Sequence, residues 1–183
     1  LSLLAGLESP TAGEIEILGQ HLEQLNEKER SRFRRAHIGF VFQSYNLLPQ
    51  FSAWENVAMP LQIRGIPLKE RKERAMEILD LVGLRDHALH KPTELSGGQQ
   101  QRIGIARAIV TGPSIVFADE PTGNLDSRTG QEVMELLGRI FRKWGTTFIL
   151  VSHDEEMYRY TDREIRLKDG KIEQQTLREE RML

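Results

Sequence analysis

Leu95-Ser96-Gly97-Gly98-Gln99-Gln100-Gln101-Arg102 opens a stretch that stops at Gly112-Pro113 and leads into Ile115-Val116-Phe117-Ala118-Asp119-Glu120. A serine and two glycines at a helix start present unpaired amides and the positive end of the helix dipole, so this stretch reads as an anion site. The second stretch is an apolar run ending in two carboxylates. A nucleotide-hydrolysing site uses such an ending to offer one carboxylate to Mg²⁺ and its neighbour to a water molecule. An acidic turn would explain the two carboxylates if they stood alone. The apolar run before them and Pro121-Thr122-Gly123-Asn124-Leu125-Asp126 after them argue against that simpler explanation.

The rest of the chain alternates strand and helix around these stretches. Ile103, Ala106 and Val110 continue one apolar helix face after Arg102, and residues 114–118 form the strand. Val133, Leu136, Leu137, Ile140, Phe141 and Trp144 then recur with helical period until Gly145. A strand over 147–151 delivers Ser152-His153-Asp154, a short helix starts at Asp154, and residues 165–172 read as a hairpin, with a short charged tail after Ile172. Upstream, Ile38-Gly39-Phe40-Val41-Phe42 is a strand with Gln43 at its end, and 14–18 alternates as a half-buried strand does. Residues 26–35 are charged. Their cluster of Arg30, Arg32, Arg34 and Arg35 has acids interleaved and reads as a solvated helix face. Between Gln43 and the Leu95 stretch the character changes, with Leu47, Leu48, Phe51 and Trp54 followed by a charged helix over 68–82. That helix has Ala75, Ile78, Leu79 and Val82 on one face, and Gly83 is its C-cap. Alternation of this kind implies right-handed crossovers and a parallel sheet with ligands at the carboxyl ends of its strands.

Bulk properties exclude several classes. The 183 residues carry 25 Lys and Arg against 27 Asp and Glu, a net charge of −2, which is no electrostatic footprint for nucleic acid. There is no cysteine, so disulfides and thiolate metal sites are absent. Apolar runs such as Phe148-Ile149-Leu150-Val151 fall well short of the ~18 residues that cross a bilayer. These properties describe a soluble, cytosol-compatible domain whose membrane role, if any, comes through a partner.

Leu95 to Arg102, Asp119-Glu120 and the following Pro121 to Asp126 together resemble the ATP-binding cassette (ABC) ATPases of membrane transporters. The likeness covers essentially the whole chain. Phe117 to Asp126, Val41-Phe42-Gln43-Ser44-Tyr45-Asn46-Leu47-Leu48-Pro49 and Trp54-Glu55-Asn56-Val57-Ala58-Met59-Pro60-Leu61 look most like the subunits of macrolide-exporter, lipoprotein-release and antimicrobial-peptide efflux systems. The resemblance implies a P-loop NTPase-like α/β fold with a mostly parallel sheet. The catalytic core would take residues 1–44 and 92–183, with a helical subdomain inserted over 45–91. ATP and Mg²⁺ are the implied substrate and cofactor. Asp119 corresponds to a metal ligand, Glu120 to the catalytic base, Gln43 to the Q-loop glutamine at the metal's water shell, and His153 to the switch histidine on the γ-phosphate. Ser96, Gly97, Gly98 and Gln99 correspond to the signature that faces ATP held by a second cassette paired head to tail, and Asp126 to the D-loop aspartate between the two sites. The resemblance also implies a membrane permease partner, with Leu47, Leu48, Phe51 and Trp54 as the contact or else as the subdomain's own core. The protein would then sit on the cytoplasmic face of the membrane through that partner. Two cassettes in one chain, long coiled coils and a large C-terminal domain would instead mark translation, repair and importer relatives.

One family element has no match. The loop Gly-x-x-x-x-Gly-Lys-Ser/Thr does not occur; the one Gly-Lys, Gly170-Lys171, is followed by Ile172. Leu1 to Leu7 resembles the helix that follows this loop, so the sequence reads as a cassette with its N-terminal portion absent, including the adenine-stacking aromatic and one strand of the sheet. A fragment of a longer ATPase is favoured over a naturally short form, because every other catalytic position is intact. Losing a single well-placed donor at a reacting centre costs ~3–4 kcal/mol, and here the whole phosphate cradle is missing. The 183-residue chain by itself is therefore expected to bind MgATP negligibly. Calorimetric titration should show no saturable heat, and micromolar affinity would overturn the expectation.

Overall fold

A computed structural model describes residues 1–177, and the chain divides into two compact units, Leu1–Val151 and Ser152–Leu183. The first is organised by a three-stranded parallel sheet of β3 (Ile38–Phe42), β4 (Ile115–Asp119) and β5 (Thr147–Val151), in the spatial order β3-β4-β5. The strands are in matched register: Ile38 pairs with Ile115 and Ile115 with Thr147, while at the other end Phe42 pairs with Asp119 and Asp119 with Val151. β4 is central and buried on both faces, which is why it reads as an unbroken apolar run. Phe40 stacks on Phe117 at 5.7 Å across the sheet.

Crossover connections supply the helices. α5 (Ser127–Trp144) links β4 to β5 and buries Val133, Leu136, Leu137, Ile140 and Phe141, with Phe141 stacked on Phe148 at 4.7 Å. The sixth residue of that periodic stripe, Trp144, is 38% exposed, because it is the last helical residue before Gly145 turns the chain at φ +63°. α4 (Gly97–Ile109) lies against β3, and Gly39 is required there: a Cβ on Gly39 would overlap the Ala108 carbonyl. α4 buries residues on nearly every side, including Gln101, Ile103, Ile105, Ala106, Ala108 and Ile109.

Residues 45–91 fold as α2 (Ala53–Ile63), α3 (Leu68–Leu81) and a 3₁₀ turn at Arg85–His87, with both helices packed on each other and on α4. Ala75, Leu79 and Val82 of the expected stripe are buried and Ile78 is half-buried; Gly83 takes φ +73° just past the helix. Ala53 N–H donates to the His90 carbonyl at 2.8 Å and Trp54 N–H to the Ala88 carbonyl at 3.0 Å, closing the segment on itself. Asn56 is wholly buried at its centre. Its Oδ1 accepts from Leu48 N–H at 2.8 Å, and its Nδ2 is shared among the carbonyls of Leu48, Phe51 and Ser52 at 3.0–3.1 Å.

Three sequence expectations are corrected. Leu1 to Leu7 is not a helix but a single α-type turn, with Ala5 N–H on the Leu1 carbonyl at 2.9 Å, ended by Gly6 at φ +65°. One turn fixes several residues for one hydrogen bond and does not propagate past a left-handed glycine. The alternating run 14–18 contributes only β1 (Glu16–Ile17), paired tightly with β2 (Gln20–His21), because Leu18 at φ +53° and Gly19 at φ +75° reverse the chain. α1 (Glu27–His37) follows, capped by Asn26, and does form over the charged stretch. The charged tail after Ile172 is likewise strand up to Leu177, with the rest of it outside the described residues.

In the second unit, Asp154 caps a 3₁₀ helix at Glu155–Tyr160, accepting Glu156 N–H at 2.9 Å. β6 (Arg163–Lys168) and β7 (Lys171–Leu177) form an antiparallel hairpin. Its tip, Asp169-Gly170, has φ +50° and +74°, the left-handed pair that a two-residue hairpin turn requires.

Replacing Asn56 with Ala strips partners from buried backbone groups of residues 48–52. The expected loss is about 2–3 kcal/mol in a urea unfolding curve, from orphaned polar groups rather than lost volume.

Candidate functional site

Because β3, β4 and β5 end flush, the residues that follow Phe42 and Asp119 emerge side by side at the carboxyl edge of the sheet. These are Gln43 and Glu120. Asp119 is the one exposed residue of an otherwise buried strand. Glu120 takes φ +46°, a left-handed backbone that costs a residue with a Cβ ~1–2 kcal/mol. Its N–H donates to the Val151 carbonyl of the neighbouring strand at 2.9 Å, and its carbonyl accepts from Gly123 N–H at 3.0 Å, closing a turn with Pro121 second. Proline's fixed φ suits that position. The turn and the strand contact together hold Glu120 in a conformation it would otherwise leave.

Gln43 is tied to the same turn. Its main-chain carbonyl accepts from Asn124 Nδ2 at 3.0 Å, and its side-chain Nε2 lies 2.7 Å from where a Gly123 Cβ would be. So the absence of a side chain at Gly123 is what admits the glutamine amide. Gln43, Asp119 and Glu120 are thereby gathered at one edge. His153 belongs to the second unit, following β5 in sequence.

Beyond Gln43 the chain turns through Tyr45 at φ +59° and Asn46 at φ +49°. Arg107 of α4 holds both residues by their carbonyls, Nη2 to Tyr45 at 2.8 Å and Nη1 to Asn46 at 2.5 Å. Burial pushes the Arg107 guanidinium below its usual range. The Tyr45 hydroxyl reaches the other end of α4, 2.8 Å from the Cβ position of Gly97.

The signature residues build the start of α4. Ser96 is its N-cap: Ser96 Oγ accepts from Gln99 N–H at 3.3 Å, and Gln99 Oε1 accepts from Ser96 N–H at 2.9 Å. The exposed Ser96 hydroxyl keeps its own hydrogen for a further acceptor. Gln99 Nε2 also lies 3.1 Å from His87 Nε2, so the Gln99 side chain is engaged within its own chain. The glycines have intrachain reasons too. A Cβ on Gly97 would meet Tyr45, and one on Gly98 would overlap the Thr129 methyl. Asp126 caps α5, its Oδ1 accepting from Thr129 N–H at 3.1 Å, and hydrogen bonding from Thr129 holds its carboxyl below the usual range.

Among the described residues no three His, Cys, Asp or Glu side chains gather into a metal cage. A divalent cation at Asp119 would therefore draw its other ligands from substrate phosphates, water and neutral oxygens such as that of Gln43. That is how a small octahedral cation is commonly held, and the donor set fits it. The apolar residues after Gln43 are distributed unevenly: Leu48 is 36% and Phe51 38% exposed, whereas Leu47 and Trp54 are half-buried, with Lys72 over the Trp54 ring at 5.3 Å.

Gln101, Arg107 and Thr129 were not singled out by sequence. Gln101 had a signal, a polar residue at the i position of an i, i+4, i+7 face shared with buried Ile105 and Ala108. Arg107 had none, since its targets are main-chain carbonyls distant in sequence.

The ABC transporter family model matches residues 1–123. The chain belongs to the ABC transporter family. The lipoprotein-releasing system ATP-binding protein LolD of Bacteroides fragilis is 48% identical to this cassette over 172 residues, 94% of this chain and 80% of LolD. The ABC transporter ATP-binding protein YtrE of Bacillus subtilis is 49% identical over 170 residues, 93% of this chain and 74% of YtrE. Among solved structures, the ATP-binding cassette MJ0796, dimeric in a post-hydrolysis state with ADP and Pi, superposes with a TM-score of 0.86 at 42% identity, covering 96% of this chain and 78% of that one. The cassette is thus an ABC ATP-binding domain of mixed α/β fold. No helix among its described residues is long and apolar enough to cross a membrane.

Arg107→Leu should leave the Tyr45 and Asn46 carbonyls without their donors and cost the cassette about 2–3 kcal/mol in chemical denaturation.

Proposed function

We propose that this cassette, when completed by the phosphate loop that the 183 residues do not contain, hydrolyses ATP to power an ABC-type export or membrane-extraction complex, and that the 183 residues alone are inactive. The observation that carries the reading is the row Gln43, Asp119 and Glu120 at flush strand ends, with an exposed Ser96 at a separate helix start. The names of LolD and YtrE and the ADP and Pi bound to the MJ0796 dimer support it.

In this reading Asp119 and Gln43 hold Mg²⁺, which when bound neutralises phosphate charge. Glu120 accepts a hydrogen bond from the attacking water and takes its proton as the water's oxygen bonds to the γ-phosphorus and the bridge to ADP breaks. His153 donates to a γ-phosphate oxygen and keeps the water and phosphate aligned. Ser96, Gly97, Gly98 and Gln99 face ATP held by a second cassette, the serine through its unused hydroxyl and the glycines through first-turn amides. Gln99 contributes by fixing the cap, and Asp126 stands between the two sites. The assembly includes a permease reached through Leu48 and Phe51, flanked by Leu47 and Trp54, with the cassette on the cytoplasmic face.

A second reading is a subunit that only completes its partner's ATP site. What favours it is that these 183 residues contain the signature but no Gly-x-x-x-x-Gly-Lys-Ser/Thr. Glu120→Gln separates the two. In the full-length form assembled with its permease, hydrolysis should fall at least about a hundredfold with ATP binding retained. An unchanged rate would favour the second reading.

A further inference from the structure

Gln101 is wholly buried in α4, and a buried primary amide is costly unless both its ends are engaged. Only its donor end is. Nε2 donates to the Pro121 carbonyl at 2.6 Å, and Oε1 finds no partner among the described residues. The asymmetry marks the side chain as kept for that one bond.

Pro121 directly follows Glu120, and it is buried. Two hydrogen bonds that fix Glu120 come from the sheet and its own turn, through Val151 and Gly123. The third fixed point of the turn is the Pro121 carbonyl, and it is held by the helix that begins at Ser96. Swinging that carbonyl away turns the 121–122 peptide plane, which is one residue from Glu120 and is joined to it through the rigid Pro121 ring inside the turn closed by the Glu120 carbonyl and Gly123 N–H. A shift of α4 along its axis therefore pulls on the Glu120 turn through a single short hydrogen bond. Gly98 stacked against Thr129 leaves α4 little lateral freedom, so the bond reports how α4 is seated.

We propose that Gln101 is a positioning residue for Glu120, aligning the water-activating carboxylate only when the signature helix is seated on its nucleotide. This rests on the function proposed above. The test is steady-state ATP hydrolysis by the full-length form assembled with its permease. Gln101→Met keeps length and apolar shape while removing the donor. It should lower kcat at least about tenfold with KM for ATP within about twofold, since misplacing a reacting group costs rate rather than binding. In a Glu120→Gln background the same change should have no further effect on the residual rate, because there is no longer a carboxylate to align. An unchanged kcat, a matching rise in KM, or an equal loss in both backgrounds would assign Gln101 to the fold alone and overturn the proposal. If Gln101→Met does not fold, Gln101→Glu serves. It should run slowly when ionised and recover relative to the parent as pH falls and its carboxyl regains a proton to donate; a flat ratio overturns the proposal. Hydrolysis that survives Glu120→Gln sinks this inference together with the functional reading. Hydrolysis that depends on Glu120 but not on Gln101 sinks the inference alone.

Discussion

Three five-residue strands pair so that their carboxyl ends fall on one line, and the site depends on that registration. A parallel ladder slipped by one residue would turn each strand's side chains to the opposite face and carry Gln43 and Glu120 to different heights. The apolar packing of β4 on both sides, with Phe40 on Phe117, prevents the slip. The polar edge is thus a by-product of core packing: hydrophobic burial sets the register, and register sets which polar residues share a neighbourhood.

α4 carries the second layer of organisation. It buries residues on several sides, and two of its polar side chains, Gln101 and Arg107, reach the backbone of neighbouring turns. Arg107 grips the turn after Gln43, Gln101 grips the turn after Glu120, and the glycines at its start admit Tyr45 and Thr129. One helix therefore touches the turns that follow both β3 and β4. The signature motif is usually explained by what docks on it. Here its composition is equally constrained by what lies behind it.

The features legible in the sequence were those with local causes. Strand 38–42, strand 147–151, the stripe on α5 and the glycine stops at Gly83 and Gly145 follow from periodicity and backbone chemistry within a few residues. Gln43, Asp119 and Glu120 could be placed together because strand ends in a parallel sheet share an edge. Leu1 to Leu7 read as helix by its resemblance to the one after the phosphate loop, and a resemblance does not reveal that Gly6 breaks it after one turn. The run at 14–18 alternates well enough, yet Leu18 and Gly19 fold it back before a strand can lengthen. Arg107 escaped notice since its partners are main-chain carbonyls, which carry no residue identity to read, whereas Gln101 could have been noticed by its place on a buried helix face but its partner could not.

The backbone at Glu120 embodies a trade-off. Its φ of +46° is one that glycine adopts freely and glutamate does not. Relaxing the turn and keeping a carboxylate there thus call for different residues at the same position. Glycine at 120 would give a sturdier turn without its acid. A glutamate in that backbone marks a place where foldability and side-chain chemistry pull in opposite directions.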